Sequence, residues 1–192
     1  MNVFLLSGLP RSGKTTSMET LKKYLEDNGI DYLVIENTNH RTRKSDAIHL
    51  IAAELYQSIL ENKSPNLIIE GPFLNVFDRE VIFDKLDDAL RISKDLSINL
   101  IAIQHNRSNR FVFNNNKLEG DRTAYPDKVI INALNTYQQP IREEGFGLIY
   151  NVNGDRYLEL DKFTSLVHRI DNTFPVLSSD SDKEDHGEAC EE

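Results

Sequence analysis

The sequence predicts an α/β protein of three layers, a five-stranded, mainly parallel sheet with helices on both faces. Three observations carry that prediction. Short apolar runs alternate with helix-period segments along most of the chain. The run at 98–104 (INLIAIQ) is apolar at nearly every position, as a strand covered on both faces must be. Finally, the stretch 8–16, GLPRSGKTT, fits G-x-x-x-x-G-K-[ST] at Gly8, Gly13, Lys14 and Thr15, between a strand-like run and a helix-like one.

In order, residues 2–7 (NVFLLS) read as the first, buried strand. After the glycine-rich loop, residues 17–28 place Met18, Leu21, Tyr24 and Leu25 at helical spacing, with Asn28-Gly29 as the stop. Residues 31–36 form a second strand that ends in Glu36, and 37–44 (NTNHRTRK) read as a polar, cationic loop at the carboxyl edge of the sheet. Ser45 or Asp46 is expected to cap a helix carrying Ile48, Ile51, Ala52, Leu55 and Ile59 on one face. Ser64-Pro65 breaks the chain before a third strand, 66–70, that ends in Glu70 and is followed by Gly71-Pro72. A helix over 78–94 turns Val81, Ile82, Leu86 and Leu90 inward.

Beyond the fourth strand, 105–124 loses periodicity and is rich in Asn and Arg, which suits a lid. Residues 125–144 return to helical spacing with Val129, Ile130, Ala133, Leu134 and Tyr137, and Pro140 kinks or ends that helix. Residues 146–152 form the fifth strand. Asn153-Gly154 then closes a hairpin onto 157–160, or leads into a last helix over 161–171. Residues 1–174 are expected to be one domain. Residues 175–192 lack apolar periodicity and are expected to form a disordered acidic tail.

The chain has 192 residues and a net charge of −9, which argues against a broad grip on extended nucleic acid. The charge is uneven: 178–192 holds seven acids against Lys183, a net −6, leaving only −3 for the rest. No apolar run is long enough to span a bilayer, and no signal peptide is expected before the first strand. Cys190 is the sole cysteine, so an intramolecular disulfide and a cysteine-built zinc site are both excluded. A cytoplasmic, reducing location is expected.

The loop's chemistry follows from its residue types. Glycines let the backbone curl so that amides point inward, and the helix N-terminus adds partial positive charge, which together bind phosphate. The donor, ATP, is expected along Gly8, Pro10, Arg11, Ser12, Gly13, Lys14, Thr15 and Thr16. Lys14 would reach the β- and γ-phosphates, and Thr15, with Glu70, would hold Mg²⁺. Because ligands of open parallel sheets bind at the carboxyl ends of strands, Glu36, Glu70 and the segment after Gln104 converge on that loop.

Glu36 is the candidate for the acceptor side; its plain alternative is a solvated strand-end carboxylate. Arg107, Arg110 and Arg122 are candidates for a lid that neutralises transferring charge and excludes water, against solvated loop cations. Arg41 and Arg43, with His40 and Lys44, either recognise an anionic acceptor or form a solvated charge run. Phe73 is placed with the acceptor. His105 and His168 read as a strand-end and a helix-surface residue.

These residues resemble the P-loop kinases of nucleosides and nucleotides, above all the thymidylate kinase and deoxynucleoside kinase group. The resemblance rests on GLPRSGKTT, on Glu36 after the second strand, on Glu70 with the later Asp78-Arg79, and on Asp121-Arg122 before a long helix. It covers roughly 2–171 in order of elements, though only the loop is a tight match. Glu36 lacks the following Pro-Gly-Gly of thymidylate kinases, and Glu80 stands where they carry an aromatic residue.

The resemblance implies a P-loop NTPase fold with the kinase-type strand order 2-3-1-4-5, with Arg79 holding a nucleotide acceptor and lid arginines on phosphates. It places Asn153, within 150–155, beside the donor adenine. The expected activity is ATP- and Mg²⁺-dependent transfer of the γ-phosphoryl group to a nucleotide such as dTMP. The alternatives are a nucleoside, a nucleic-acid end or a small metabolite as acceptor, or a nucleotide-binding ATPase or switch. The expected partner is a small acceptor, and a homodimer is compatible with the sequence.

Overall fold

The computed structural model describes residues 1–36, 43–118, 124–153, 158–163 and 165. Five strands, β1 (Asn2–Gly8), β2 (Leu33–Glu36), β3 (Asn66–Glu70), β4 (Asn99–Asn106) and β5 (Leu148–Asn153), form one sheet in the order β2-β3-β1-β4-β5. Every neighbouring pair is parallel. Among the described residues, five helices of ten or more residues accompany them: α1 (Lys14–Asp27), α2 (Lys44–Leu60), α3 (Val76–Ile92), α4 (Asn109–Leu118) and α5 (Asp127–Thr136).

Alternation along β1 builds two cores at once. Val3 and Leu5 face the layer where Ile48, Ile51 and Leu55 of α2 and Ile82 and Leu86 of α3 are buried. Phe4 and Leu6 face the opposite layer, with Met18, Leu21 and Leu25 of α1 and with Leu158 and Phe163. A third, smaller cluster joins Leu9, just past β1, to Val112 of α4 and Ile130 and Ala133 of α5. That cluster seats α4 and α5 over the carboxyl edge of the sheet.

Several boundaries differ from expectation for local physical reasons. α3 starts at Val76 because Asn75 caps it: its side chain accepts from the Asp78 amide at 2.9 Å, and Asp78 accepts in return from the Asn75 amide at 3.1 Å. Neither Ser45 nor Asp46 caps α2, whose N-cap is Arg43, with Asp46 in the first turn. Residues 109–118, expected to be irregular, form α4, which buries only Val112 and Asn116.

α5 ends at Thr136, well before Glu144. Tyr137 is extended, the following carbonyls turn toward Arg79, and Pro140 cannot continue a helix. Past β5, residues 160–163 are helical, as one of the two alternatives required. Tyr157, residues 166–171 of the expected last helix and the expected tail at 175–192 lie outside the described residues.

Candidate functional site

The phosphate loop is built from both sides of Gly8. A Cβ there would lie 2.7 Å from Ser12 Oγ and 2.9 Å from His105 Cβ, so only glycine fits between the loop and β4. Gly13, the N-cap of α1, has φ of 93°, which glycine adopts without strain. Arg11 holds a φ of 63° without that freedom. Lys14 Nζ curls back and donates to the carbonyls of Gly8 and Leu9 at 3.1 and 2.9 Å. Desolvation in this nest lowers the Lys14 pKa, partly offset by the Glu70 carboxylate. The ammonium sits where an anion would relieve its desolvation.

Thr15, exposed in the first turn of α1, donates from Oγ1 to Glu70 Oε1 at 2.8 Å. The other carboxylate oxygen, Oε2, is buried and makes no hydrogen bond. Desolvation raises the Glu70 pKa, opposed by Lys14 and by the Thr15 hydroxyl, while Glu36 pushes it further up. Glu36 and Glu70 are register partners at the ends of β2 and β3, which makes the two carboxylates neighbours. A hydroxyl and an incompletely satisfied carboxylate are hard oxygen donors of the kind Mg²⁺ takes. Among the described residues no cluster of three His, Cys, Asp or Glu side chains forms. A magnesium ion that shares its coordination with phosphates and water needs none.

α4 lies against the loop. Arg107, only 7% exposed, donates from Nε to the Ser12 carbonyl at 3.1 Å, and its guanidinium stacks on Phe111 at 4.8 Å. One of its terminal nitrogens would lie 3.8 Å from a Cβ on Gly13, which puts the charge directly over the loop. Asn115 donates to the Arg11 carbonyl at 3.3 Å, and the Arg11 guanidinium covers the Tyr125 ring at 5.1 Å. Asn116, buried, pairs with both backbone groups of Tyr125 at 2.8 Å and so ties the end of α4 to the start of the α5 segment.

The structure therefore brings together Gly8, Arg11, Ser12, Gly13, Lys14, Thr15, Glu36, Glu70 and Arg107. Pro10 lies in the loop, and Thr16 is exposed on the first turn of α1, its carbonyl accepting from Thr20. Arg110 is exposed on α4, Arg43 is exposed before α2, and Asn153 is exposed at the end of β5, in register with Asn106. Arg41 and Arg122 lie outside the described residues.

Two residues expected on the acceptor side are buried. Arg79 is fully buried, with Nε and a terminal nitrogen on the Glu144 carboxylate at 2.7 and 2.8 Å and further bonds to the Gln138 and Gln139 carbonyls. Its charge is spent on fastening the 138–144 segment to α3. Phe73 is also fully buried, with its ring packed beneath Gly71 near Ile51, so it forms a wall of the core rather than a face of the site.

Sequence reasoning missed what lies under the loop. His105 is completely buried, with Nε2 at 2.7 Å from Ser17 Oγ and Nδ1 at 3.2 Å from the Ser7 carbonyl. A histidine in place of an apolar residue at the end of a buried strand was the available signal.

Residues 1–64, from β1 through α2, match the family model described as chromatin associated protein KTI12. No curated protein matches the chain. Among solved structures, a fungal RNA kinase superposes with a TM-score of 0.63 at 15% identity, covering 91% of this chain and 86% of its own. Kti12 of Chaetomium thermophilum, in complex with ADP-AlF3, gives 0.61 at 16% identity over 88% and 98% of the two chains. A sugar kinase from Janibacter sp. HTCC2649 gives 0.55 at 12% identity over 86% and 92%. At such identities the likeness is one of fold: the chain has the α/β P-loop fold with the kinase-type strand order. The matched family model is that of KTI12 rather than of a thymidylate kinase.

Proposed function

We propose that the chain is an ATP-dependent phosphotransferase that delivers the γ-phosphoryl group to a phosphate-bearing nucleoside unit, either a free nucleotide or the terminal unit of a nucleic acid. The observation that carries this reading is the Thr15–Glu70 bond at the mouth of the loop, with Oε2 of Glu70 still unpaired beside it. The loop amides and Lys14 bind the β- and γ-phosphates of ATP, and Lys14 exchanges the Gly8 and Leu9 carbonyls for them. Thr15 and Glu70 would hold Mg²⁺, which would supply positive charge against the charge developing on the phosphate oxygens. Arg107, over Gly13, meets the equatorial oxygens of the transferred group, and Arg110, exposed on α4, is assigned to the same lid. Glu36, beside Glu70, orients the acceptor hydroxyl or phosphate.

The relatives support a kinase-type reading in different ways: one is named an RNA kinase, one a sugar kinase, and one was solved with ADP-AlF3. Burial of Arg79 removes the guanidinium that the resemblance assigned to a mononucleotide acceptor. A deoxynucleoside monophosphate such as dTMP therefore stands within the class without being singled out. Arg43, exposed just before α2, favours an acceptor that already carries phosphate, whereas Lys44 beside it is paired with Asp78.

The test is ADP formation from Mg·ATP with nucleoside monophosphates, nucleosides, sugars and 5′-hydroxyl and 5′-phosphate oligoribonucleotides. Stimulation by phosphate-bearing members above the rate in water supports the reading. An unchanged rate across the panel makes the chain an ATPase or switch and ends it.

A further inference from the structure

We propose that His105 is a positioning residue for the phosphate loop: its imidazole joins the last residue before the loop to the first helical turn after it, and so sets the direction of the loop amides. The inference rests on the donor-site reading above. Residues 8–16 lie between Ser7, buried near the end of β1, and Ser17, buried on α1. His105 touches both ends, with Nδ1 at 3.2 Å from the Ser7 carbonyl and Nε2 at 2.7 Å from Ser17 Oγ. It also lies directly beneath Gly8, whose absent Cβ would strike the His105 Cβ at 2.9 Å.

The chemistry of the partners fixes the tautomer. A carbonyl oxygen only accepts, so Nδ1 carries the hydrogen and donates to Ser7. Nε2 is then bare and accepts the Ser17 hydroxyl hydrogen. The Ser17 amide is already committed to the Gly13 carbonyl at 3.0 Å, which ties the same residue to the glycine that opens α1. Burial, and next the Lys14 ammonium, push the ring's pKa down to about 4, with Arg107 adding to the effect, so the neutral form is the one present at neutral pH.

A directional bond at each end makes the strand-to-helix geometry specific in a way that apolar packing cannot. Two residues farther along, Arg107 grips the Ser12 carbonyl at the middle of the loop. The exit of β4 therefore holds the loop near its start, at its middle and near its end.

The test uses Ser17→Ala, which deletes one hydroxyl, His105→Phe, which fills the space without hydrogen bonds, and His105→Gln, whose amide can both donate and accept. Binding of Mg·ATP and of inorganic tripolyphosphate is measured by calorimetry on the full chain, with circular dichroism to establish folding. Ser17→Ala and His105→Phe are expected to weaken both ligands about tenfold, the loss of one well-placed hydrogen bond's worth of preorganisation, with His105→Gln within about threefold of wild type.

Unchanged affinities in folded Ser17→Ala and His105→Phe overturn the proposal, as does an equal loss in His105→Phe and His105→Gln. Should His105→Phe fail to fold, Ser17→Ala alone decides. A wild-type chain that binds neither ligand overturns the donor-site reading, and this one with it.

Discussion

Thr15 Oγ1 donates to Glu70 Oε1 at 2.8 Å, joining the first turn of α1 to the end of β3 across the mouth of the phosphate loop. The two residues are far apart in sequence and meet because β3 runs parallel beside β1, with Leu6 and Glu70 in register. The bond holds the hydroxyl and the carboxylate in one place before any ligand arrives. Its buried environment keeps the Glu70 pKa raised, which a cation would reverse.

Glu70→Gln keeps the volume and an acceptor for Thr15 while removing the charge. Metal dependence should change most: the Mg²⁺ concentration for half-maximal ADP formation rises and the maximal rate falls, by about ten- to a hundredfold together. A magnesium titration of wild type and variant reads this out. Identical titrations would remove Glu70 from the metal site.

Arg79→Met leaves the Glu144 carboxylate buried without its cation, so the variant should lose about 3–5 kcal/mol in denaturant unfolding. The double variant Arg79→Met/Glu144→Leu should recover most of that, because both charges are then gone. In the double variant the KM for the acceptor should match wild type. A large rise in that KM, with stability restored, would return Arg79 to the acceptor side.

His105 makes stability depend on pH. Its folded pKa of about 4 lies below the ordinary 6.5, so between those values the unfolded chain takes up a proton that the folded chain refuses. The folded state is therefore favoured above pH 6.5 and loses stability as pH falls, by about 3 kcal/mol once below pH 4. Glu70, with its raised pKa, works in the opposite direction, so the contribution is isolated by subtracting the pH profile of folded His105→Gln. Parallel profiles for the two proteins would contradict the burial argument.

The residues that meet at the loop were more legible in the sequence than those expected on the acceptor side. Gly8, Gly13, Lys14 and Thr15 are contiguous, and each residue type answers a local need of backbone curl, charge or hydroxyl. Glu70 was visible because a carboxylate that ends an apolar strand has one place to be in a parallel sheet. The burial of Arg79 was not legible because its partner, Glu144, lies 65 residues away, and nothing in Asp78-Arg79 announces a buried ion pair. α4 escaped because its buried face is short and half polar, Val112 with Asn116, and Asn116 earns its burial only by bonding Tyr125 across the chain. The parallel sheet, in contrast, followed from the alternation of strands and helices, and its strand order from the resemblance that the loop motif carries.

Calorimetric titration of Mg·ATP into the wild-type chain and Lys14→Ala tests the central claim most directly. Among the described residues Lys14 donates to the Gly8 and Leu9 carbonyls of its own loop, an arrangement that a bound triphosphate is expected to replace. Saturable one-to-one binding by wild type, weakened at least about tenfold in a folded Lys14→Ala protein, is the predicted result. Equal affinity in the two proteins, or no binding by wild type, would contradict it.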